Sequence, residues 1–241
     1  MFRATIALAI IIQAVMAFEL LDFFRFFRGT PHQMAAVKRL EEALPDGMLE
    51  DDAEWIEAWK ASGIEQQVYA PYFFQVDNKS GEGERECFSS AAAMIAAFYK
   101  RVSSDDTYNK IRSTYGDTVS VDAQLQALRA LKLEAMFIKS GTIIDIESEI
   151  TSGRPVLVGW LHRGDLTKGE PPMGVGHWSV IVGFNQEELI AHDPMGMPDL
   201  LHGGHDSWKS GEYIRMNRQV FKQRWEADGA GTGWMILVSD G

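Results

Sequence analysis

Gly81-Glu-Gly-Glu-Arg-Glu-Cys87-Phe-Ser-Ser-Ala-Ala-Ala-Met-Ile-Ala-Ala-Phe-Tyr99 joins a charged, glycine-containing loop to a run of small and apolar residues. The run predicts a buried helix that starts at Cys87. A thiol at a helix start meets free backbone N–H groups and the positive end of the helix dipole, and both favour the nucleophilic thiolate. Glu82, Glu84 and Glu86 oppose that shift. Cys87 is the only cysteine in 241 residues, so it forms no internal disulfide and, alone, no metal site. Taken by itself it reads as a small buried core residue.

A second stretch changes that reading. Gly176-His177-Trp-Ser-Val-Ile-Val-Gly-Phe184 alternates and is β-branched, which predicts a strand beginning at His177. Asn185-Gln-Glu187 is a polar turn, and Glu188–His192 a second short strand that runs into Asp193-Pro194. A tight antiparallel hairpin of this length puts Asp193 within about two positions of the residue facing His177. A carboxylate there can fix the imidazole in one tautomer while its other nitrogen faces a thiol, which is the base-and-orienter half of a nucleophilic triad. His192 adjoins Asp193 but points to the opposite face of the strand.

Gln75 adds a fourth group. It leaves an aromatic, strand-like segment, Pro71-Tyr-Phe-Phe-Gln75, a short loop before Cys87. Its amide N–H, paired with the backbone N–H of Cys87, could form an oxyanion hole. A glutamine alone means little; the order Gln, Cys-helix, His-strand, Asp-strand means a good deal.

Five motifs carry a family resemblance: Tyr72-Phe-Phe-Gln75-Val-Asp-Asn78, Glu86-Cys87-Phe-Ser-Ser90, Gly153-Arg-Pro-Val-Leu-Val-Gly-Trp160, Gly176–Gly183 and His192-Asp193-Pro194. Together they make residues 69–241 resemble the papain-like cysteine peptidases of the bacteriocin-leader-processing type. That broad group also occurs as phage and bacterial cell-wall hydrolases. The phage-associated members are the more similar, including Phe26-Phe-Arg-Gly-Thr-Pro-His-Gln33. The resemblance implies Cys87 as nucleophile, His177 as general base and acid, Asp193 as orienter, Gln75 in the oxyanion hole, and no cofactor. Cys87-Phe88-Ser89 departs from the common Cys-Gly-Pro start of the family helix and leaves the pocket beside the thiol open. Phe88 and Trp178 are expected to line the substrate cleft, with Trp178 shielding the His–Asp pair from water.

The expected fold class is α+β: the cysteine on a central helix packed against an antiparallel sheet that carries the histidine and aspartate. Asp105–Ser113, Val121–Leu131 and Ile143–Ser152 read as further helices, Leu133–Ile138 and Pro155–Trp160 as strands. The chain divides into residues 1–17, a signal or membrane-associated segment; 18–63, a small helical module with aromatic faces (Phe23, Phe24, Phe27, Trp55, Trp59); and 64–241, the peptidase domain. The uncharged stretch Ala4–Phe18 is too short for an ordinary spanning helix, which needs about 20 residues. It suits a secretory h-region, a membrane tether through residues 4–18, or a buried helix.

A formal net charge of −11 with no basic stripe argues against nucleic acid and anionic membrane surfaces as partners. His192, Asp193, His202 and His205 lie close in sequence, but Gly203-Gly204 makes that segment a loop and no further ligand cluster accompanies it, so no metal is expected. His162 is read as a solvated residue of an exposed loop before His177. These features predict a cysteine hydrolase that cleaves amide bonds. The resemblance adds peptide cross-links of bacterial peptidoglycan as substrate and an exported or virion-associated location. Two alternatives stay open: a non-enzymatic component of a phage tail or envelope assembly that keeps the fold, and a leader-peptide-processing protease.

Overall fold

A computed structural model describes residues 65–241. The expectations for residues 1–63, the signal segment and the helical module, lie outside the described residues. Residues 66–241 form one compact unit. Labels below follow chain order among the described residues.

Helix α1, Cys87–Phe98, is buried along nearly its whole length. Three alanines in a row let it lie close against its neighbours, while Ser89 and Ser90 supply polar anchors. Ser90 Oγ donates to Asp105 at 2.9 Å, and Arg112 and Gln124 both donate to Ser89 Oγ. Asp105 and Arg112 belong to α2, Asp105–Arg112, and Gln124 to α3, Val121–Ala130. Ser104 and Ser120 cap those two helices, each accepting from a backbone N–H of the first turn. Helix α4, Ile143–Thr151, starts with a full capping box between Thr142 and Asp145.

The strands are β1 (Gln66–Gln67), β2 (Leu133–Gly141), β3 (Val156–Arg163), β4 (Met173–Phe184), β5 (Glu188–His192), β8 (Ile214–Asn217) and β9 (Gly233–Asp240). They form one sheet in the order β2-β9-β3-β4-β5-β8, with β1 paired to β4. Every pairing is antiparallel. A separate two-stranded ribbon joins β6 (Met197–Pro198) to β7 (His205–Asp206). Helix α5, Arg218–Trp225, packs on β3. This is the expected α+β, papain-like arrangement, with the cysteine helix against an antiparallel sheet.

Two contacts fix the parts that matter. Phe88 of α1 stacks on Trp178 of β4 with ring centroids 3.8 Å apart and planes 4° from parallel. Gly159 of β3 lies beneath that indole: a Cβ there would come within 2.9 Å of it. Arg224 of α5 is fully buried, and its guanidinium donates to the carbonyls of Leu161, Arg163, Gly164, Leu200 and Leu201. Such a buried cation is tolerable because its N–H groups are spent on carbonyl oxygens and the Asp199 and Asp165 carboxylates favour its charge.

Candidate active site

Cys87 opens α1 and is half-buried. The Glu86 side chain at its N-cap does not bond the first-turn N–H groups of that helix, and such groups favour an anion. The preceding Glu86 is buried: Asn78 and Ser80 donate to its Oε2 at 2.8 and 2.7 Å, and Arg112 lies 3.6 Å from its Oε1. The carboxylate nearest the thiol in sequence is thus paired off. The segment 81–86, expected as a loop, carries a 3-10 turn at Gly83–Arg85.

His177 lies in β4 opposite Trp160, whose ring it meets edge-on at 5.3 Å. Its Nε2 is 2.8 Å from Asp193 Oδ2, and Cys87 is among the groups that favour its charged form. Because Nε2 is engaged by the carboxylate, Nδ1 is the nitrogen left for the thiol. Burial works against a charged imidazole, but Asp193 and Cys87 outweigh it and raise the His177 pKa from 6.5 to about 10.

Asp193 is fully buried immediately after β5. The β4–β5 register sets His192 opposite Val180, so Asp193 falls next to Ser179, two residues from His177. Its Oδ2 also accepts from Ser179 Oγ at 2.8 Å and lies 3.3 Å from His205 Nε2, while Oδ1 accepts from the Met195 N–H at 2.9 Å. Burial alone would raise this carboxyl; His177 and His205 hold it well below the usual carboxylate range. The Tyr72 hydroxyl donates to the Asp193 carbonyl and accepts from the Gly211 N–H. Gly211 has no room for a side chain, since a Cβ would sit 2.0 Å from that carbonyl oxygen.

Gln75 is also fully buried, but the segment before it is not a strand: Gln75–Asp77 is a 3-10 turn. The Gln75 N–H donates to the Pro194 carbonyl at 2.8 Å, which pins this turn to the aspartate segment and replaces any strand pairing. Its Nε2 donates to the Gly83 carbonyl at 2.7 Å. A carbonyl there forces the amide nitrogen to face it, leaving the second N–H of that nitrogen for another acceptor.

Phe88 and Trp178 are the two residues expected to line the cleft. They are 1 % and 6 % exposed and fill the helix–sheet interface against each other. For Trp178 alternation explains the burial, because a residue next to His177 in a strand faces the opposite side of the sheet.

His192 is buried between the ring edges of Tyr72 and Tyr213, at 5.6 and 4.3 Å. Burial pushes its pKa down from 6.5 to about 4. Between those values the unfolded chain binds the proton and the folded one does not. The contribution is therefore fully present above pH 6.5 and lost as pH falls through this window, up to about 3 kcal/mol. The unfolding free energy should decline accordingly from pH 7 to pH 4. Denaturant titrations of His192→Phe should show a shallower decline; an unchanged slope would refute the assignment.

Two residues were missed by sequence reasoning. His162, read as a solvated loop residue, lies on β3, which runs three residues past its predicted end, and is half-buried. Its ring lies 5.4 Å from that of His177 with planes 13° apart. His205, discounted because its segment is a loop, sits in β7 with its side chain 2 % exposed. The Nδ1 atoms of His162 and His205 are 3.4 Å apart. His202, by contrast, pairs with Asp199 on the exposed surface. The available signal was register: His162 is two residues from Trp160, on the face that carries His177.

Residues 67–232 match the family described as Peptidase_C39 like family. A protein described as a C39-like peptidase from Bacillus anthracis has a similar structure over 73 % of this chain and 98 % of its own, with 15 % identity and a TM-score of 0.51. The peptidase domain of Streptococcus ComA, a bi-functional ABC transporter involved in a quorum-sensing pathway, is 18 % identical over 73 % of this chain and 99 % of its own, with a TM-score of 0.47. A double glycine motif protease from an AMS/PCAT transporter, in complex with the leader peptide, gives 17 %, 73 %, 94 % and 0.44 for the same quantities. No curated protein sequence matches the chain.

Proposed function

The chain belongs to the Peptidase_C39 like family, cysteine peptidases of papain-like fold, and from that premise we propose that Cys87 is its nucleophile, His177 its general base and acid, and Asp193 the residue that orients His177. The observation that carries this is a buried imidazole whose Nε2 lies 2.8 Å from Asp193 Oδ2 and whose charged form is favoured by both Asp193 and Cys87. In this reading the imidazole takes the thiol proton and the sulfur attacks a peptide carbonyl. The Cys87 N–H and the second N–H of Gln75 Nε2 hold the oxyanion. His177 then protonates the leaving amine, and water hydrolyses the thioester.

For the substrate we propose the peptide cross-links of bacterial peptidoglycan. The support is the resemblance of the site motifs and of Phe26–Gln33 to phage-associated cell-wall hydrolases. Such a substrate requires delivery to the envelope or the virion, a role that fits the Ala4–Phe18 stretch read as an export segment.

Purified peptidoglycan and a leader peptide ending in two glycines, each incubated with the protein and with Cys87→Ala, test the reading. Mass analysis should show new amino and carboxyl termini in the peptidoglycan peptides, absent with the variant. Cleavage of the leader peptide alone would move the substrate to leader processing. Cleavage of neither would favour a structural component that keeps the fold.

A further inference from the structure

The catalytic reading uses one histidine, yet three meet at the site. His177 faces Trp160 across β3 and β4, His162 follows two residues along β3, and β7 lays His205 over both. The ring of His205 is 4.4 Å from that of His177 and 5.3 Å from that of His162. One ring nitrogen from each of the three lies within 4.8 Å of the others. Among the described residues, no other group of three or more ligand-type side chains gathers this way.

The spacing suits a metal ion. A tetrahedral ion bound at about 2.0–2.1 Å sets its nitrogen ligands about 3.3 Å apart, and the Nδ1 atoms of His162 and His205 are 3.4 Å apart. The outer shell suits it too. Asp193 Oδ2 stands 2.8 Å from His177 Nε2 and 3.3 Å from His205 Nε2. A carboxylate that accepts the far N–H of a ligating histidine fixes its tautomer and raises its basicity. With the His205 proton drawn to Nε2, the lone pair of its Nδ1 is turned toward His162. The framework is rigid: the Arg224 guanidinium bonds the carbonyls on both sides of His162 and those of Leu200 and Leu201 ahead of His205. The buried Asp193 carboxylate offsets part of the charge of a divalent ion.

We propose that His162, His177 and His205 bind a divalent transition metal of the zinc class, one nitrogen from each, with the fourth position open, and that the bound ion reversibly blocks the peptidase. Imidazole ligands select zinc, cobalt, nickel or copper over magnesium and calcium. The block follows because both nitrogens of His177 are committed. Coordination through Nδ1 takes that nitrogen from Cys87 and releases its proton to solvent; coordination through Nε2 breaks the bond to Asp193 and expels the proton held there. The block rests on the catalytic reading above; the binding does not.

Co2+ serves as the spectroscopic probe, on the full chain stripped with chelator. One equivalent should give the visible absorption of a four-coordinate site, bleached by Zn2+. His162→Phe and His205→Phe, each checked for a native melt, should weaken binding at least about tenfold, whereas Cys87→Ala should retain the spectrum. Zn2+ should inhibit hydrolysis with restoration by chelator, and each histidine variant, scored against its own metal-free rate, should need at least about tenfold more Zn2+. No spectrum at saturating Co2+, or one that survives both substitutions, overturns the site. A normal spectrum with unimpaired hydrolysis overturns only the block. A protein inactive on every substrate leaves the cobalt result to decide the binding alone.

Discussion

Cys87→Ala is expected to lower hydrolysis by about four orders of magnitude or more, to the level left by binding and the oxyanion donors alone. In the proposed mechanism the thiol supplies the covalent bond to the acyl group, and alanine has no atom to replace it. The fold should survive, because Cys87 is half-buried at a helix start followed by serines and alanines, so its loss opens at most a small gap. Because the chain has a single cysteine, alkylation by iodoacetamide reports on one atom. A rate-versus-adduct titration should lose activity in step with one label, and His177→Ala should slow labelling at neutral pH. Residual activity in a well-folded alanine variant would place the nucleophile elsewhere.

Asp193→Asn should cost about three to four orders of magnitude in kcat, with a smaller change in KM. Oδ2 faces three potential donors, from His177, Ser179 and His205, while Oδ1 accepts the Met195 N–H. An amide cannot satisfy both sides. Its NH2 points either at the histidines or at the Met195 amide, and each choice sets donor against donor. The pH profile separates this from a general loss of packing. The carboxylate acts with Cys87 to overcome burial and raise the His177 pKa to about 10. Without it the opposition to burial is weaker, so the alkaline limb of the residual activity should move to lower pH. A variant with an unmoved limb and a modest loss would reduce Asp193 to a structural role.

The cysteine helix was legible to within one residue of its end, because a run of small and apolar residues between a charged loop and a turn has few other solutions. The hairpin was legible because its turn is short, and its register carried Asp193 to the predicted distance from His177. The burial of Trp178 was less legible, since strand alternation sends the neighbour of His177 into the core, where it stacks on Phe88. His162 and His205 escaped for a different reason. They lie 43 residues apart on segments whose glycines mark them as loops, and what joins them is a buried arginine on α5. That helix itself went unread, since Arg218-Gln-Val-Phe-Lys-Gln-Arg-Trp225 offers only three apolar side chains. The run Trp234-Met-Ile-Leu-Val238 in β9 was a readable strand that was not used.

β9 has a consequence for the order in which the protein comes into being. It follows every other strand in the chain, yet its place in the sheet is between β2 and β3. During synthesis Cys87, His177 and Asp193 all leave the ribosome before the strand that joins the two parts of the sheet. Until it arrives, β2 has no partner among the described strands, and β3 pairs only with β4. Closure therefore depends on contacts distant in sequence, which form slowly because the chain entropy must be given up before the contacts return anything. A nascent chain stopped short of Gly233 holds Cys87, His177 and Asp193 within an unfinished sheet, so the place where they meet is completed after its own residues have been made.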